Sequence, residues 1–419
     1  MSIYVGTGLY CSLSGVDNAF YQLSPLAAIL PAIVLGWLLH RGNTEHRLHA
    51  LLEGIRHRDI ITMCLIFLLA GAFGAVTQAI GSVEATVQLA LSLIAPQFLL
   101  MGLFITAAFI SVAMGTSMGT IAAIAPVAYG LSTHGAFPAA LGAATVVGGA
   151  MFGDNLSIIS DTTIAAVMSQ RADLQAKLRL NALIATIAAL ITLGCLLLHC
   201  DSSVPILVQP YSLLRVAPYA LLIILALCGV NVLITLVMGI MAAGLLGMVD
   251  GGYGWLHYSR DIVSGFTSMQ EMMLLSMLVG GLSGLVGEGT LKLSEQLSSW
   301  LAHRKAGQKL AQLLIAAIVS LFDLLLANNT IAIICSGDLA REIAKKYHIP
   351  PHYSATWLDI FSCVVQGLIP YSAQILLASS LAGVSPLNVI GQVYYCYALG
   401  AVALITILTL SGLKPKLNQ

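Results

Sequence analysis

The sequence has very little charge for its length. Only 9% of its 419 residues are Asp, Glu, Lys or Arg, whereas 58% are hydrophobic. A soluble domain carries roughly 25% charged residues, and a chain of this size could not cover a water-exposed surface with so few. The composition therefore excludes an ordinary soluble protein and predicts a protein embedded in the lipid bilayer.

Signatures of several other functions are also missing. The formal net charge is zero, so no basic excess points to nucleic acid as a partner. The sequence has no GxxxxGK[ST] loop for ATP, and no long hydrophilic block that would form a catalytic domain. Its eight cysteines show neither CxxC nor zinc-like spacing. We therefore expect no cofactor, no ATP-driven pump and no enzyme.

The hydrophobic residues come in segments of the length that crosses a bilayer, which is about 20 residues for a helix. They predict an all-α, polytopic membrane protein with about 12–13 transmembrane helices. Segments 137–169 and 353–383 are too long for one smooth helix. Gly153-Asp154-Asn155 interrupts the first and Pro370-Tyr371-Ser372 the second, so both are predicted to be broken helices.

The chain also resembles itself. Residues 71–76 resemble 281–286, and Thr120 corresponds to Thr330, both at an offset of 210 residues, while the broken segments align near Gly149 and Gly367 at 218. These matches indicate an internal repeat. The division that it predicts is a short N-terminal segment (1–20), a first transmembrane repeat (21–199), a connecting loop with an extra helix (200–230), a second repeat (231–411) and a tail (412–419).

Basic residues indicate how the repeats are oriented, since short cytoplasmic loops carry an excess of Lys and Arg. Loop 41–59 holds four arginines and its counterpart 250–270 only one, whereas loop 81–96 has no basic residue and its counterpart 289–309 has four. Equivalent loops thus lie on opposite sides, and the repeats are predicted to be inverted, as in many secondary transporters. Loop 41–59 and the C-terminus would be cytoplasmic, in a multi-pass protein of the cytoplasmic (inner or plasma) membrane.

The richest polar cluster lies in the 137–169 segment. Charged residues in membrane spans cost at least ~2.5 kcal/mol each and usually mark a pathway. Asp154 and Asp161 are candidate ligands for Na⁺, because carboxylate oxygens suit a hard cation. In a helix, Asp154, Ser157 and Asp161 would lie on one face, and Gly153 would permit the backbone before them to unwind. The alternative to an ion site is a loop outside the membrane in which Asp161 caps a helix. The candidate ion-binding residues here are Asp154, Asn155, Ser157, Ser160, Asp161, Thr162 and Thr163.

Further candidates come from the turning points of other helices. Asp323 and Asn328-Asn329-Thr330 lie in the second repeat, and Thr116-Ser117 is their counterpart in the first. Tyr371-Ser372 lies at the break of the second broken helix, in the motif 370–374, and this motif has no carboxylate. The two repeats would thus contribute unequally, acids from one and neutral oxygens from the other. A plain turn, a water-exposed helix end and a proline kink are the alternatives.

Three charged residues near the ends of apolar segments are assigned to a loop or to the membrane interface. Asp359 lies close to the start of its segment, so we expect it at the membrane interface. Lys177 and Arg171 belong to the predicted loop 170–178 and count as cytoplasmic charge.

The polar motifs resemble those of a known family. Gly153-Asp154, Ser157, Ser160 and Asp161-Thr162-Thr163 follow the pattern GD-x-x-SP-x-SDTT, which is typical of NhaC-type Na⁺/H⁺ antiporters of the ion transporter superfamily. This sequence has Ile158 where the pattern has Pro. In the second half, residues 327–330 and 368–372 resemble a short branch of that family. The likeness extends over nearly the whole chain after residue 20.

The resemblance implies a secondary transporter that exchanges Na⁺ for H⁺ across the bilayer by alternating access. A proton and Na⁺ would compete for Asp154 and Asp161, and only a loaded site would cross. Because the family includes relatives that move organic acids and amino acids, a Na⁺- or H⁺-coupled transporter of a small organic solute remains the alternative. The oligomeric state stays open, with a homodimer as one option.

Overall fold

The computed structural model describes residues 23–40, 42–199, 209–249, 252–302 and 307–410, with Thr7 and Ser14. Within these ranges the regular structure is helical, and six helices are long and apolar enough to cross a membrane. Four further apolar helices are shorter. The predicted all-α, polytopic membrane architecture is thus confirmed. Most of segment 1–20 and all of the tail 412–419 lie outside the described residues.

The described helices fall into two series. The first comprises α1 (Pro25–Leu39), α2 (Thr44–Arg56), α3 (Arg58–Ala79), α4 (Ser82–Leu93), α5 (Leu99–Met114), α6 (Ser117–Thr133), α7 (Ala139–Leu156), α8 (Asp161–Gln170) and α9 (Leu174–Leu198). After α10 (Leu213–Leu227), the second comprises α11 (Val232–Val249), α12 (Trp255–Ala302), α13 (Gln308–Leu326), α14 (Asn329–Lys346), α15 (Pro351–Gln366), α16 (Ala373–Ala382), α17 (Pro386–Ile390) and α18 (Tyr394–Leu410).

Several stretches predicted as loops are helical. Loop 41–59 contains α2, which has no buried residue, and loop 81–96 contains α4. The predicted loops 250–270 and 289–309 lie largely within α12, a single helix of 48 residues. Polar composition was the basis for predicting loops, but a helix at a surface tolerates a polar face. The loop predictions were therefore wrong.

Both predicted helix breaks exist, but the first lies further along the chain. α7 continues through Asp154 to Leu156, and the non-helical residues are 157–160. Gly153 serves close packing instead of unwinding, because a Cβ there would stand 2.4 Å from the side chain of Ser111. Asp161 therefore begins a separate helix and does not share a helical face with Asp154. The second break, at 367–372, lies where its proline predicted it.

The helix boundaries correct the register of the repeat. α14, α15 and α16 each begin 212 residues after α6, α7 and α8. The pairing of Gly149 with Gly367 at 218 is wrong, since Gly149 lies inside α7 whereas Gly367 follows the end of α15. At an offset of 212, Asp154 corresponds to Gln366. The hairpin tips also correspond, because Gly115 and Ala327 share the left-handed conformation, with φ of 67° and 50°.

Contacts between the two series occur in reciprocal pairs. α8 packs on α14, and their counterparts α16 and α6 also pack on each other. In the same way, α1 packs on α12 and α11 packs on α3. α3 and α12 cross at Gly71 and Gly265, where a Cβ on either would stand 2.2 or 2.4 Å from the opposite carbonyl oxygen. A second such approach joins Gly54 of α2 to Gly280 of α12. Each of these contacts in one direction thus has a counterpart in the other direction.

Candidate ion-binding site

A cavity of about 270 Å³ lies where helix ends from both series meet. The start of α3, the α5–α6 turn, the α7–α8 break and the starts of α11 and α14 form its walls. It brings together most of the predicted polar residues, namely Thr116, Ser117, Asp154, Ser160, Asp161, Thr162, Asn328, Asn329 and Thr330.

Asp154 is the buried acid of this cavity. It lies in the last turn of α7 and is 7% exposed. Ser160 Oγ donates to its Oδ1 at 2.6 Å, and Ser117 Oγ donates to its Oδ2 at 3.3 Å. Both donors are neutral hydroxyls, which can rotate and turn a lone pair toward a cation. The C-terminal end of α7 also favours positive charge at this position.

Asp161 has a different environment from Asp154. It is the first residue of α8, is exposed, and lines the cavity together with Arg58 and Asp59 of α3. The N-terminal turn of a helix favours an acidic side chain, so Asp161 also stabilises the start of α8. Ser160, and not Asp161, holds the N-cap position. The two aspartates of the motif thus line the same cavity, but Asp154 is buried and Asp161 is exposed.

A chain of hydrogen bonds joins Asp154 to the second half of the molecule. Ser117 Oγ accepts from Gln374 Nε2 at 3.3 Å. Gln374 Oε1 in turn accepts from Gln366 Nε2 at 2.9 Å. The chain therefore connects Asp154 with its own repeat equivalent, Gln366. Neither glutamine was among the predicted site residues, although a repeat offset of 212 would have pointed to Gln366.

A buried ion pair lies beside the α7–α8 break. Lys177 Nζ donates to Asp359 Oδ2 at 2.6 Å and to Thr163 Oγ1 at 2.7 Å. Asn181 Nδ2 donates to the same Asp359 oxygen at 2.7 Å, and also to the carbonyl oxygen of Asn155 at 3.2 Å. Lys177 and Asp359 are both fully buried. Their assignments to a loop and to the membrane interface were therefore wrong, because α9 and α15 pack together where these residues lie.

Three predicted residues are buried but lie outside the cavity wall. Asn155 Nδ2 donates to Cys363 Sγ at 3.2 Å, and Ser157 Oγ donates to the carbonyl oxygen of Val112 at 2.9 Å. Ser372 is the N-cap of α16, where its side chain accepts a backbone hydrogen bond at 3.3 Å. In the described structure these side chains support helix packing and capping.

Two more predicted residues also lie apart from the cavity. The hydroxyl of Tyr371 donates to the carbonyl oxygen of Leu324, and its ring lines a separate, mostly apolar cavity of about 220 Å³. Asp323 lies in the last turn of α13 and is fully buried. The structure therefore does not bring Tyr371 or Asp323 to the Asp154 cavity.

Membrane-spanning apolar helices, two broken helices and a buried acid at one break define the class of this protein: it is a polytopic membrane protein of the secondary transporter class. Residues 26–200, which include the Asp154–Thr163 motif, match the Na⁺/H⁺ antiporter family. Over 381 residues the chain is 24% identical to the Na⁺/H⁺ antiporter NhaC of Bacillus subtilis (strain 168), covering 83% of each protein. These matches confirm the resemblance to NhaC-type Na⁺/H⁺ antiporters.

Two other similarities are more limited. Over 160 residues the chain is 32% identical to the malate-2H⁺/Na⁺-lactate antiporter of Bacillus subtilis (strain 168), covering 38% of this chain and 33% of that protein. Among solved structures, it is similar to the YdaH transporter of Alcanivorax borkumensis, with a TM-score of 0.47, 12% identity, and coverage of 91% of this chain and 96% of that one.

Proposed function

We propose that this protein is a Na⁺/H⁺ antiporter in which Na⁺ and H⁺ compete for the carboxyl group of Asp154. The observation that carries this proposal is the burial of Asp154 at the cavity wall with two hydroxyl donors and no basic partner among the described residues. A buried carboxylate is costly unless its charge is compensated. A bound proton or a bound cation each supplies that compensation, and the presence of one lowers the affinity for the other.

The oxygens around Asp154 suit a small monovalent cation. Asp154, Ser117, Ser160, Thr162 and Asn329 line one cavity, so a carboxylate, three hydroxyl groups and an amide are available there. Such hard neutral and anionic oxygens are the ligands that Na⁺ prefers. When Na⁺ enters, the proton leaves the Asp154 carboxyl group through the same cavity, and the reverse exchange reloads the site.

A second polar cavity supports alternating access. It has a volume of about 510 Å³ and is lined by Gln78, Glu84, Ser264 and Ser268, among others. The N-terminal part of α3 lines the Asp154 cavity, and its C-terminal part lines this second one. We propose that the two cavities lie on opposite sides of the membrane and that the halves rock against each other between them.

The reciprocal contacts support the proposed division into inverted repeats, 21–199 and 231–411. The Asp154 cavity is lined by Arg58 at the start of α3, which directly follows the arginine-containing helix α2 in the chain. By the positive-inside rule it faces the cytoplasm, so the described conformation corresponds to an inward-facing state in the inner membrane. During transport, movement of the repeats would close this cavity and open the second cavity to the other side of the membrane.

Arg58 favours a second candidate function, the coupled transport of a small carboxylate. Its exposed guanidinium group lies on the wall of the Asp154 cavity, near Asp161. A guanidinium group binds carboxylates in a bidentate manner, and the cavity has room for a small organic anion beside a cation. In this mechanism Asp154 would hold the coupling ion and Arg58 the solute.

Everted membrane vesicles from cells without their own Na⁺/H⁺ antiporters would test the two functions. With an acid interior, addition of NaCl should collapse the gradient for the wild type and for Arg58→Gln, but not for Asp154→Asn. Asp338→Asn is a matched control, because that aspartate is exposed and pairs with Arg341. If no variant responds to Na⁺ alone but a small carboxylate restores a response that Arg58→Gln abolishes, the second candidate is correct.

A further inference from the structure

Asp323 is a buried acid that the proposed mechanism does not use. It is 0% exposed, and neither of its carboxyl oxygens has a hydrogen-bond partner among the described residues. It is also absent from the walls of the Asp154 cavity. A carboxylate buried in this way is among the most costly groups a protein interior can hold, so its charge must be compensated.

The surroundings of Asp323 favour a positive charge. It lies at the C-terminal end of α13, where the carbonyl groups of the last turn carry partial negative charge. The backbone N–H of Gln366 approaches the carboxyl group without the geometry of a hydrogen bond, so it compensates the charge only in part, and the Oε1 atom of the same residue is buried without a partner. The hydroxyl group of Tyr371 also lies near Asp323, but it donates its hydrogen bond to the carbonyl oxygen of Leu324.

The described charged groups on neighbouring helices have other partners or lie further away. α13 packs against α12, α14, α15 and α18. On α15, Asp359 pairs with Lys177, and on α12, Glu271 accepts from Ser24. The charged residues of α14 begin at Asp338, more than two turns from the hairpin tip, and α18 has none. The described structure thus gives Asp323 no basic partner.

We propose that Asp323 is a second proton-binding site, separate from Asp154 and coupled to it through Gln366, Gln374 and Ser117. A proton is favoured over Na⁺ because Na⁺ needs several oxygen ligands and room for them, whereas the described cavities do not reach this carboxyl group. A protonated Asp323 is a hydrogen-bond donor, and Gln366 Oε1 is an acceptor that needs one.

The direction of the hydrogen bonds supplies the coupling. Gln366 donates to Gln374, Gln374 donates to Ser117, and Ser117 donates to Asp154. If Asp323 carries a proton, it donates to Gln366 Oε1. Every hydrogen bond between Asp323 and Asp154 then has its donor on the Asp323 side and its acceptor on the Asp154 side. Na⁺ at Asp154 requires the Ser117 oxygen as a ligand and so disturbs this chain. The role of Asp323 in transport rests on the proposed function, whereas the proton on Asp323 does not.

Infrared spectroscopy of the purified protein tests the proton directly. At neutral pH and without Na⁺, the wild type should show a protonated-carboxyl C=O band that Asp323→Asn weakens. Asp338→Asn should leave this band unchanged, because its aspartate is exposed and ion-paired. Gln366→Leu should keep the band and shift its frequency, because the acceptor is lost. If Asp323→Asn removes only ionised carboxylate intensity, the proposal is wrong.

The infrared spectrum recorded before and after addition of Na⁺ tests the coupling. Na⁺ should shift the frequency of the Asp323 C=O band in the wild type but not in Gln374→Leu, in which the chain of hydrogen bonds is interrupted. An Asp323 band that Na⁺ leaves unchanged in the wild type would overturn the coupling. Absence of Na⁺ binding by the wild type would overturn the proposed antiport and with it the coupling, while the infrared result would still decide whether Asp323 carries a proton.

Discussion

The two halves of the molecule build unequal sites from equivalent helices. The last turn of α7 carries Asp154, whereas the equivalent position in α15 carries Gln366. In α5 and α13 the acid is in the second half instead. Ser111 donates to the Ala150 carbonyl oxygen, whereas the carboxyl group of its equivalent, Asp323, has no hydrogen-bond partner among the described residues. The repeat therefore conserves the positions of helix ends but not their charge.

This difference fits the proposed function, in which one half binds the cation at the cavity and the other half supports the site. Two acids at equivalent, hydrogen-bonded positions would repel each other when ionised. A glutamine in place of the second acid keeps the chain of hydrogen bonds without adding a charge. Substitutions at the residues of the two halves test this asymmetry, and their expected effects on ion exchange run from the loss of Asp154 to the loss of Asp161.

Removing the acid of the first half should have the largest effect on ion exchange. Asp154→Asn loses the charge that holds Na⁺, and we expect Na⁺-driven proton movement to fall by at least about 100-fold, the equivalent of roughly 3 kcal/mol. Dye fluorescence in everted vesicles measures this loss. Moving the acid to the other half, in the double variant Asp154→Asn/Gln366→Glu, should not restore exchange. Recovery by that variant would show that the halves are interchangeable.

The ion pair between the halves should dominate stability. Lys177→Met leaves Asp359 buried without its partner, which costs roughly 3–5 kcal/mol, and thermal unfolding in detergent would show a large fall in midpoint. The double variant Lys177→Met/Asp359→Leu should recover most of that loss. Arg341→Met breaks an exposed pair with Asp338 and should cost at most about 1 kcal/mol. Equal losses from the buried and exposed pairs would contradict the role given to Lys177.

Interrupting the link between the halves should weaken Na⁺ binding moderately. Gln374→Leu removes the donor to Ser117 and the acceptor for Gln366. The loss of a neutral hydrogen bond costs about 1 kcal/mol, so the Na⁺ concentration at half-maximal exchange should rise about fivefold. Ser379→Ala, a polar change one turn further along α16, is the control. An unchanged Na⁺ dependence in Gln374→Leu would show that the chain is dispensable.

The second aspartate of the motif should matter least. Asp161→Asn alters an exposed residue at the cavity wall, where solvent screens its charge, so we expect a loss of about twofold to fivefold in apparent Na⁺ affinity. The same vesicle assay, run over a range of NaCl concentrations, measures it. Complete loss of exchange in Asp161→Asn, with Asp154→Asn active, would reverse the order of the two acids.

The sequence predicts the elements of this fold better than their contacts. Apolar segments of spanning length marked most helices, and polar residues within the 137–169 segment marked the cavity. The exact residues of the first break were missed, because a glycine that permits close packing and one that permits unwinding look alike in a sequence. α2 was missed because an exposed amphipathic helix and a charged loop have similar composition.

The ion pair could not be predicted for a different reason. Lys177 and Asp359 are 182 residues apart, and each lies near the end of an apolar segment, where charge is ordinary. Only the packing of α9 on α15 brings them together. The role of Gln366 was hidden by an error of six residues in the repeat offset, which the helix boundaries remove.

The central claim is that Na⁺ and H⁺ compete for Asp154. Titration calorimetry of Na⁺ binding to the purified protein, repeated at several pH values, tests it most directly. We predict that Na⁺ binding releases protons, weakens as the pH falls through the range in which Asp154 takes up its proton, and disappears in Asp154→Asn. Na⁺ binding by Asp154→Asn with wild-type affinity, or binding that does not change with pH, would contradict the claim.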